Sequence, residues 1–337
     1  KLNSDGISYS IDGIKRDYIG EFTIPDEVDG KKITKLSDGA FSSFTKIKVV
    51  NFNKYIIEIP DRLFYNCTLL EKINVDYSKI TYVGNQAFGG CFKLEEFKFE
   101  DSIIEKIGYS AFDGCASLKK VIFPDTLKKI GNSAFKDCEK LILTLPSELE
   151  RIGFRSFEGC NSLKEITFPK TVNSLAEEAF NACRGLEKLT IPEECPLTYI
   201  SSSCFSFNDM LKEVKLSNRI KEIRDNAFRS CRTLPAINLP QHLQTIGIKA
   251  FSDCTSLKEV KFYEELENIN EGAFSNCSKL PELNLPESLK TIGFGAFHNT
   301  ACTTITIPSN VTSIGVCAFL QMKNLKKIIL KSDKCNS

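Results

Sequence analysis

The residues of this 337-residue chain with the most chemical potential are its thiols, 14 cysteines against two histidines and no tryptophan. A thiol can attack as the thiolate, pair into a disulfide or hold a soft metal, and its surroundings decide which. Nine of them, Cys67, Cys91, Cys115, Cys138, Cys160, Cys183, Cys231, Cys254 and Cys277, lie three residues after a recurring phenylalanine. Placement once per repeat stacks side chains into a file, so these nine read as a buried, reduced, structural ladder. Bridging between neighbouring coils and metal binding are the competing readings. Parallel inward side chains seldom give the Cβ approach and dihedral of a disulfide. No C-x-x-C occurs, so a tetrahedral zinc site on close cysteine pairs is not expected. Asn208 and Asn299 are read as holding the cysteine slot in two copies, since asparagine also bonds turn backbone. Off the file, Cys302 takes an apolar strand position. Cys195 and Cys204 flank the one lengthened repeat and are the disulfide candidates. The sequence leaves the state of Cys195, Cys204, Cys317 and Cys335 open.

Other reactive groups do not converge. His298 lies near Cys302, which suggests a Cys-His nucleophile, but Cys302 sits in a core slot with no third group to orient the pair. Glu95-Glu96 and Glu264-Glu265 are adjacent on strands or turns, where neighbours point to opposite faces. No glycine-rich phosphate loop is present. The chain therefore reads as a non-enzyme, with no catalytic set, cofactor or metal site. Lys plus Arg is 44 against 43 for Asp plus Glu, a net charge of +1. A phosphate-binding surface carries a basic excess, so nucleic acid is not an expected partner. No stretch approaches 18 consecutive apolar residues, so no membrane span is expected. A hydrophobic share of 42% and a charged share of 26% suit a folded chain with a large core.

The elements that position these groups come from one repeated unit. The phenylalanines recur at Phe41, Phe64, Phe88, Phe112, Phe135, Phe157, Phe180, Phe205, Phe228, Phe251, Phe274, Phe297 and Phe319. A clean copy, residues 118–138, reads LKKVIFPDTLKKIGNSAFKDC. The apolar residues three and five places after its first leucine share one strand face, and the residues between them point the other way. Proline then ends the pairing, because it cannot donate to a ladder. A second apolar pair, Leu127 and Ile130, packs from the opposite side of the coil. The glycine after it reads as a close-packing preference, because Pro60 takes the same slot and cannot adopt a positive φ. The A-F-x-x-C segment predicts one helical turn. A unit of this size cannot bury its own apolar face, so the product is a stacked solenoid.

The frame L-x-x-[IV]-x-[LF]-P-x-x-L-x-x-I-G-x-x-A-F-x-x-C resembles the BspA-like, or Treponema-type, leucine-rich repeat. The resemblance implies a β-rich, right-handed leucine-rich repeat solenoid. Its parallel β-sheet would form the concave face, with short strands and helical turns on the other side. It also implies a secreted or cell-surface protein of a host-associated microbe, with a role in adhesion or partner binding. The chain would divide into an N-terminal cap over 1–21, about 13 repeats of 23 residues over 22–330, and a tail over 331–337. Alternation at Ile7, Tyr9 and Ile11 before Asp12-Gly13 predicts that the cap is a hairpin.

Binding residues are sought on the outward strand positions. The candidate concave face comprises Lys120, Ile122, Thr144, Glu165, Thr167, Lys188, Thr190, Glu213, Lys215, Glu259 and Lys261. These columns lack the Tyr, Trp and Arg that enrich interface centres. A partner there, protein or glycan, would meet a broad polar surface of mixed charge. The alternative is a spacer or scaffold with no ligand of its own.

Overall fold

Three-residue strands with an apolar centre and polar flanks are the unit of construction. In Glu165–Thr167 the central Ile166 is buried while both flanks face solvent, and Glu96–Lys98, Ala236–Asn238 and Glu259–Lys261 follow the same pattern. A strand this short has too few bonds to stand alone, so it stacks in parallel on its counterpart one coil away. The computed structural model describes residues 1–13, 18–99 and 101–331. It divides into two compact units, Lys1–Leu163 and Lys164–Ser337, and each is a parallel β-solenoid.

In the first unit, one sheet joins Gly20–Thr23, Ile47–Asn51 and Lys72–Asn74, and then Glu96–Lys98 pairs with Lys120–Ile122. A second sheet stacks two-residue strands, Glu58–Ile59, Tyr82–Val83, Lys106–Ile107, Lys129–Ile130 and Arg151–Ile152. In the second unit, Glu165–Thr167, Lys188–Thr190 and Glu213–Lys215 form one run of the first sheet. Ala236–Asn238 with Glu259–Lys261 form another, and Thr304–Ile307 with Lys327–Leu330 a third. Its second sheet runs through Tyr199–Ile200, Glu222–Ile223, Thr245–Ile246, Asn268–Ile269, Thr291–Ile292 and Ser313–Ile314.

Proline explains why the first sheet of the second unit is interrupted. The residue after each repeat leucine donates its N–H to the preceding coil, as Lys212 does to Glu187 and Lys258 to Pro235. Pro235 and Pro281 occupy that position and have no N–H to give. The ladder parts before Ala236–Asn238 and again after Glu259–Lys261.

The A-F-x-x-C segment departs from the expected helical turn. Each coil carries two residues in the left-handed region there, for instance Arg62 with Asn66, Gln86 with Gly90 and Lys249 with Asp253, and left-handed residues break an α-helix. The N–H groups instead alternate. Phe64 and Asn66 donate to Ala87 and Gly89 of the next coil, while Tyr65 and Cys67 turn back to Arg62 and Phe64. The only helix among the described residues is a single 3₁₀ turn at Tyr77–Lys79.

The phenylalanines fill the interior as a stack. In the first unit the rings of Phe41, Phe64, Phe88, Phe112 and Phe135 are buried and lie face to face, with centroids 5.1–5.4 Å apart. In the second, Phe205, Phe228, Phe251 and Phe274 do the same at 5.2–5.5 Å. Such offset pairs add about 0.5–1.5 kcal/mol each to the burial itself. The glycine after the second strand makes room for the stacking. A Cβ on Gly108 would meet the Gly84 carbonyl carbon at 2.5 Å, and one on Gly247 the Arg224 carbonyl carbon at 2.6 Å. Neither glycine has a positive φ, so close approach is what they supply.

The N-terminal strand ahead of Asp12-Gly13 has partners on either side. Tyr9–Ile11 pairs antiparallel with Leu2 on one side and in parallel with Lys31–Leu36 on the other. The hairpin predicted at Asp12-Gly13 would need the residues that follow it as its second strand. Residues 14–17 lie outside the described residues. An Asp-Gly hairpin forms at Asp29-Gly30, where positive φ values of 50° and 71° join Glu27–Val28 to Lys31–Leu36, as a type I′ turn requires.

Candidate functional site

The thiol file has a consistent geometry. The Sγ of Cys67 donates to the Phe41 carbonyl at 2.9 Å, Cys91 to Phe64 at 3.1 Å, Cys115 to Phe88 at 3.2 Å and Cys138 to Phe112 at 3.1 Å. In the second unit Cys231, Cys254 and Cys277 reach Phe205, Phe228 and Phe251 at 3.2–3.3 Å. Asn208 takes the same slot, its Nδ2 donating to the Phe180 carbonyl at 3.1 Å and to Phe205 at 2.9 Å. Asn299 does not. It sits one position earlier and donates to the Asn276 side chain at 3.1 Å, while the buried Thr300 holds the slot three residues after Phe297.

Burial keeps these sulfurs protonated. It pushes the Cys67 and Cys254 thiols up to about 12, and raises Cys91, Cys138, Cys231 and Cys277 well above their ordinary value. A thiolate is the reactive form, so the file is chemically quiet. Cys195 and Cys204, the disulfide candidates, are separate buried thiols, as is Cys302, and Cys317 is a partly exposed thiol. Cys335 lies outside the described residues. Cys302 donates to the Leu280 carbonyl at 3.3 Å, and its pKa is raised by burial, so nothing activates it towards His298. Glu95 pairs with Lys119 at 3.0 Å and Glu265 with His242 at 2.7 Å, each apart from its neighbouring carboxylate. Among the described residues, no group of three or more His, Cys, Asp or Glu is placed to hold a metal ion, and no helix is long and apolar enough to cross a membrane.

What remains for recognition is the outer face of the first sheet. In the second unit, register places Glu165, Lys188 and Glu213 in one row and Thr167, Thr190 and Lys215 in the next. Glu213 accepts ion pairs from Lys188 at 3.6 Å and Lys215 at 2.9 Å. Those lysines hold its carboxyl below the usual carboxylate range, the hydrogen bond from Lys215 contributing most. Further along, Glu259 and Lys261 line a cavity of about 380 Å³ with Lys258, Phe262, Pro281, Glu282 and Asn284. It opens where Pro281 interrupts the ladder. In the first unit, Lys120, Ile122 and Thr144 converge on another cavity, of about 450 Å³, which Phe123, Asp125, Ile142, Leu143 and Leu145 also line. Sequence reasoning listed outward columns and so missed these openings. The signals were present: a proline directly after the repeat leucine at Pro235 and Pro281, and one residue fewer between Cys138 and Pro146 than between Cys115 and Pro124.

Comparison with known proteins agrees with the repeat. The family described as the BspA type leucine rich repeat region matches over residues 16–142, 142–257 and 221–336. The chain belongs to this family. No curated protein matches it. Among solved structures, a leucine-rich repeat protein of Bacteroides ovatus is 26% identical, with a TM-score of 0.72, over 91% of this chain and 86% of that one. A leucine rich cell surface protein of Faecalibacterium prausnitzii, 24% identical, shares the fold with a TM-score of 0.56 over 99% of this chain and 93% of its own. The pneumococcal vaccine antigen PcpA, 23% identical, does so with a TM-score of 0.55 over 97% and 82%. In BspA type terms, the repeated frame of this chain goes into the stack, and the residues that differ from coil to coil lie outward.

Proposed function

We propose that this chain is a non-catalytic module of an exported or cell-surface protein that binds a macromolecular partner, in adhesion to host or other microbial cells. The observation that carries this reading is the rigid row of outward side chains on the first sheet. Glu165, Lys188 and Glu213, and beside them Thr167, Thr190 and Lys215, are held in register by the ladder and are not consumed by the core. Interactions preorganised in this way lose little entropy when a partner binds. Membership of the BspA type family, and a structural relative named as a cell surface protein, support the location.

Mixed charge implies a modest affinity that depends only mildly on salt. The test is binding to immobilised extracellular-matrix proteins and glycans, with the double variant Glu213→Lys/Lys215→Glu beside the parent. Reversed charges on a solvent face alter stability by under about 0.5 kcal/mol, so the variant folds. Weakened binding supports the sheet as the site. Unchanged affinity moves the site elsewhere on the molecule. One observation favours a spacer instead: the Lys188–Glu213–Lys215 charges already satisfy one another. Under that reading neither protein binds any of the immobilised ligands.

A further inference from the structure

We infer that the opening in the first sheet of the first unit is a docking cleft for a protein segment that inserts one bulky apolar side chain next to a single carboxylate. This rests on the reading that the sheet binds a partner, and it names where and with what chemistry.

The cleft has a sequence cause. Glu96–Lys98 pairs with Lys120–Ile122 over three residues, and the Phe99 N–H adds a bond to the Ile122 carbonyl. One coil on, the strand is a residue short, and only Lys120 and Ile142 pair. The Ile142 N–H reaches the Lys119 carbonyl at 2.9 Å. Past that bond the two segments part, leaving the cavity of about 450 Å³, within the range of sites that take a small ligand or a large side chain.

Its walls set the chemistry of the guest. Ile142 is 62% exposed at the mouth, and Ile122 and Phe123 are half-buried beside it. An apolar residue exposed this far over an apolar recess is the kind of feature that marks an interaction site. Lys120 stands at the rim, exposed, and no ion pair is formed to it among the described residues. Its cross-strand neighbour Glu96 is engaged by Lys98 at 3.9 Å. The other charge of the lining, Asp125, stands at the far end and accepts from the Ser147 hydroxyl at 3.3 Å, so the mouth beside Ile142 is cationic only at Lys120. A carboxylate beside the inserted side chain complements it. The aliphatic lining favours a peptide over a glycan. The cavity of the second unit, ringed by Lys258, Glu259, Lys261 and Glu282, has no such apolar mouth.

The experiment uses the full chain with isoleucine δ1-methyl labels. The probe is an acetylated, amidated peptide, Gly-Glu-Phe-Gly-Gly. The controls are Gly-Glu-Ala-Gly-Gly, Gly-Lys-Phe-Gly-Gly and a neutral oligosaccharide. At millimolar concentration the acidic phenylalanine peptide is expected to shift the Ile122 and Ile142 methyl resonances, and the alanine peptide and the sugar to leave them in place. Ile142→Glu should weaken the titration at least tenfold. Lys120→Glu, a change confined to solvent, should reverse the preference towards the lysine peptide. The inference is overturned if the two methyls do not move, if the sugar moves them instead, or if neither substitution changes the titration. Partner binding that stays sensitive to Glu213 and Lys215 alongside any of those results overturns the cleft alone.

Discussion

A thiol bonded to a carbonyl one coil away makes a testable equivalence with asparagine. Asn208 supplies two buried bonds where its counterparts supply one. Asn208→Ala should cost about 1–3 kcal/mol, because buried carbonyls lose their donor, and Asn208→Cys should recover much of that. Equal urea midpoints for the alanine and cysteine variants would refute the equivalence. Phe251 tests the stack. It is fully buried, with ring neighbours Phe228 at 5.4 Å and Phe274 at 5.2 Å. Phe251→Ala should cost about 3–5 kcal/mol in equilibrium unfolding, and a loss below about 1 kcal/mol would put the side chain on the wrong face. Both positions were legible in the sequence, because a fixed period turns a residue type into a place. The left-handed residues were not. Arg62, Gln86 and Lys249 have positive φ yet share no chemical character, since hydrogen bonds to the next coil hold them there. The second left-handed position was half-legible, with Asn66, Gly90, Asp137 and Gly159 among the residue types that tolerate it.

At the level of the element, a strand of three residues depends on its neighbours for nearly every bond. One missing donor therefore opens a gap that a longer strand would bridge. Pro281→Lys should restore an N–H facing the Lys258 carbonyl and close the cavity beside it. Hydrogen exchange then reads a protected amide at position 281, and exchange as fast as that of an open loop would show that proline is not the cause. Strand positions were readable from the alternation of Ile166 with Glu165 and Thr167. The turn was misread as helical because its small-Phe pair and cysteine suit a helical turn equally well. Only the coil-to-coil bonding decides between them.

For the whole molecule, repetition adds small effects in one direction. An unfolded thiol titrates near pH 8.5, whereas burial holds Cys67 and Cys254 near 12 in the fold. The folded state keeps a proton that the unfolded state gives up. The resulting stability is fully present below about pH 8.5 and is lost as pH rises from there towards 12. Each such thiol contributes a slope of about 1.4 kcal/mol per pH unit. Unfolding midpoints measured from pH 7 to 10 should fall steeply, and less steeply for Cys254→Ala. An unchanged slope in that variant would sink the assignment. Thiol titration at neutral pH should find almost no reactive group before unfolding and about nine or more after it.

Because Phe251 stacks alike on both neighbours, the period is also a cutting length. Excising residues 252–274 would join Phe251 to Ser275-Asn276-Cys277, in the frame that Phe274 held. Phe251 would then face Phe297, and Cys277 would face the carbonyl of Phe228. Duplication of the same stretch would be equally silent inside the stack. The gene can thus gain or shed whole turns by recombination while every interior contact type survives. A deletion that is not a whole number of coils would throw thiols against rings.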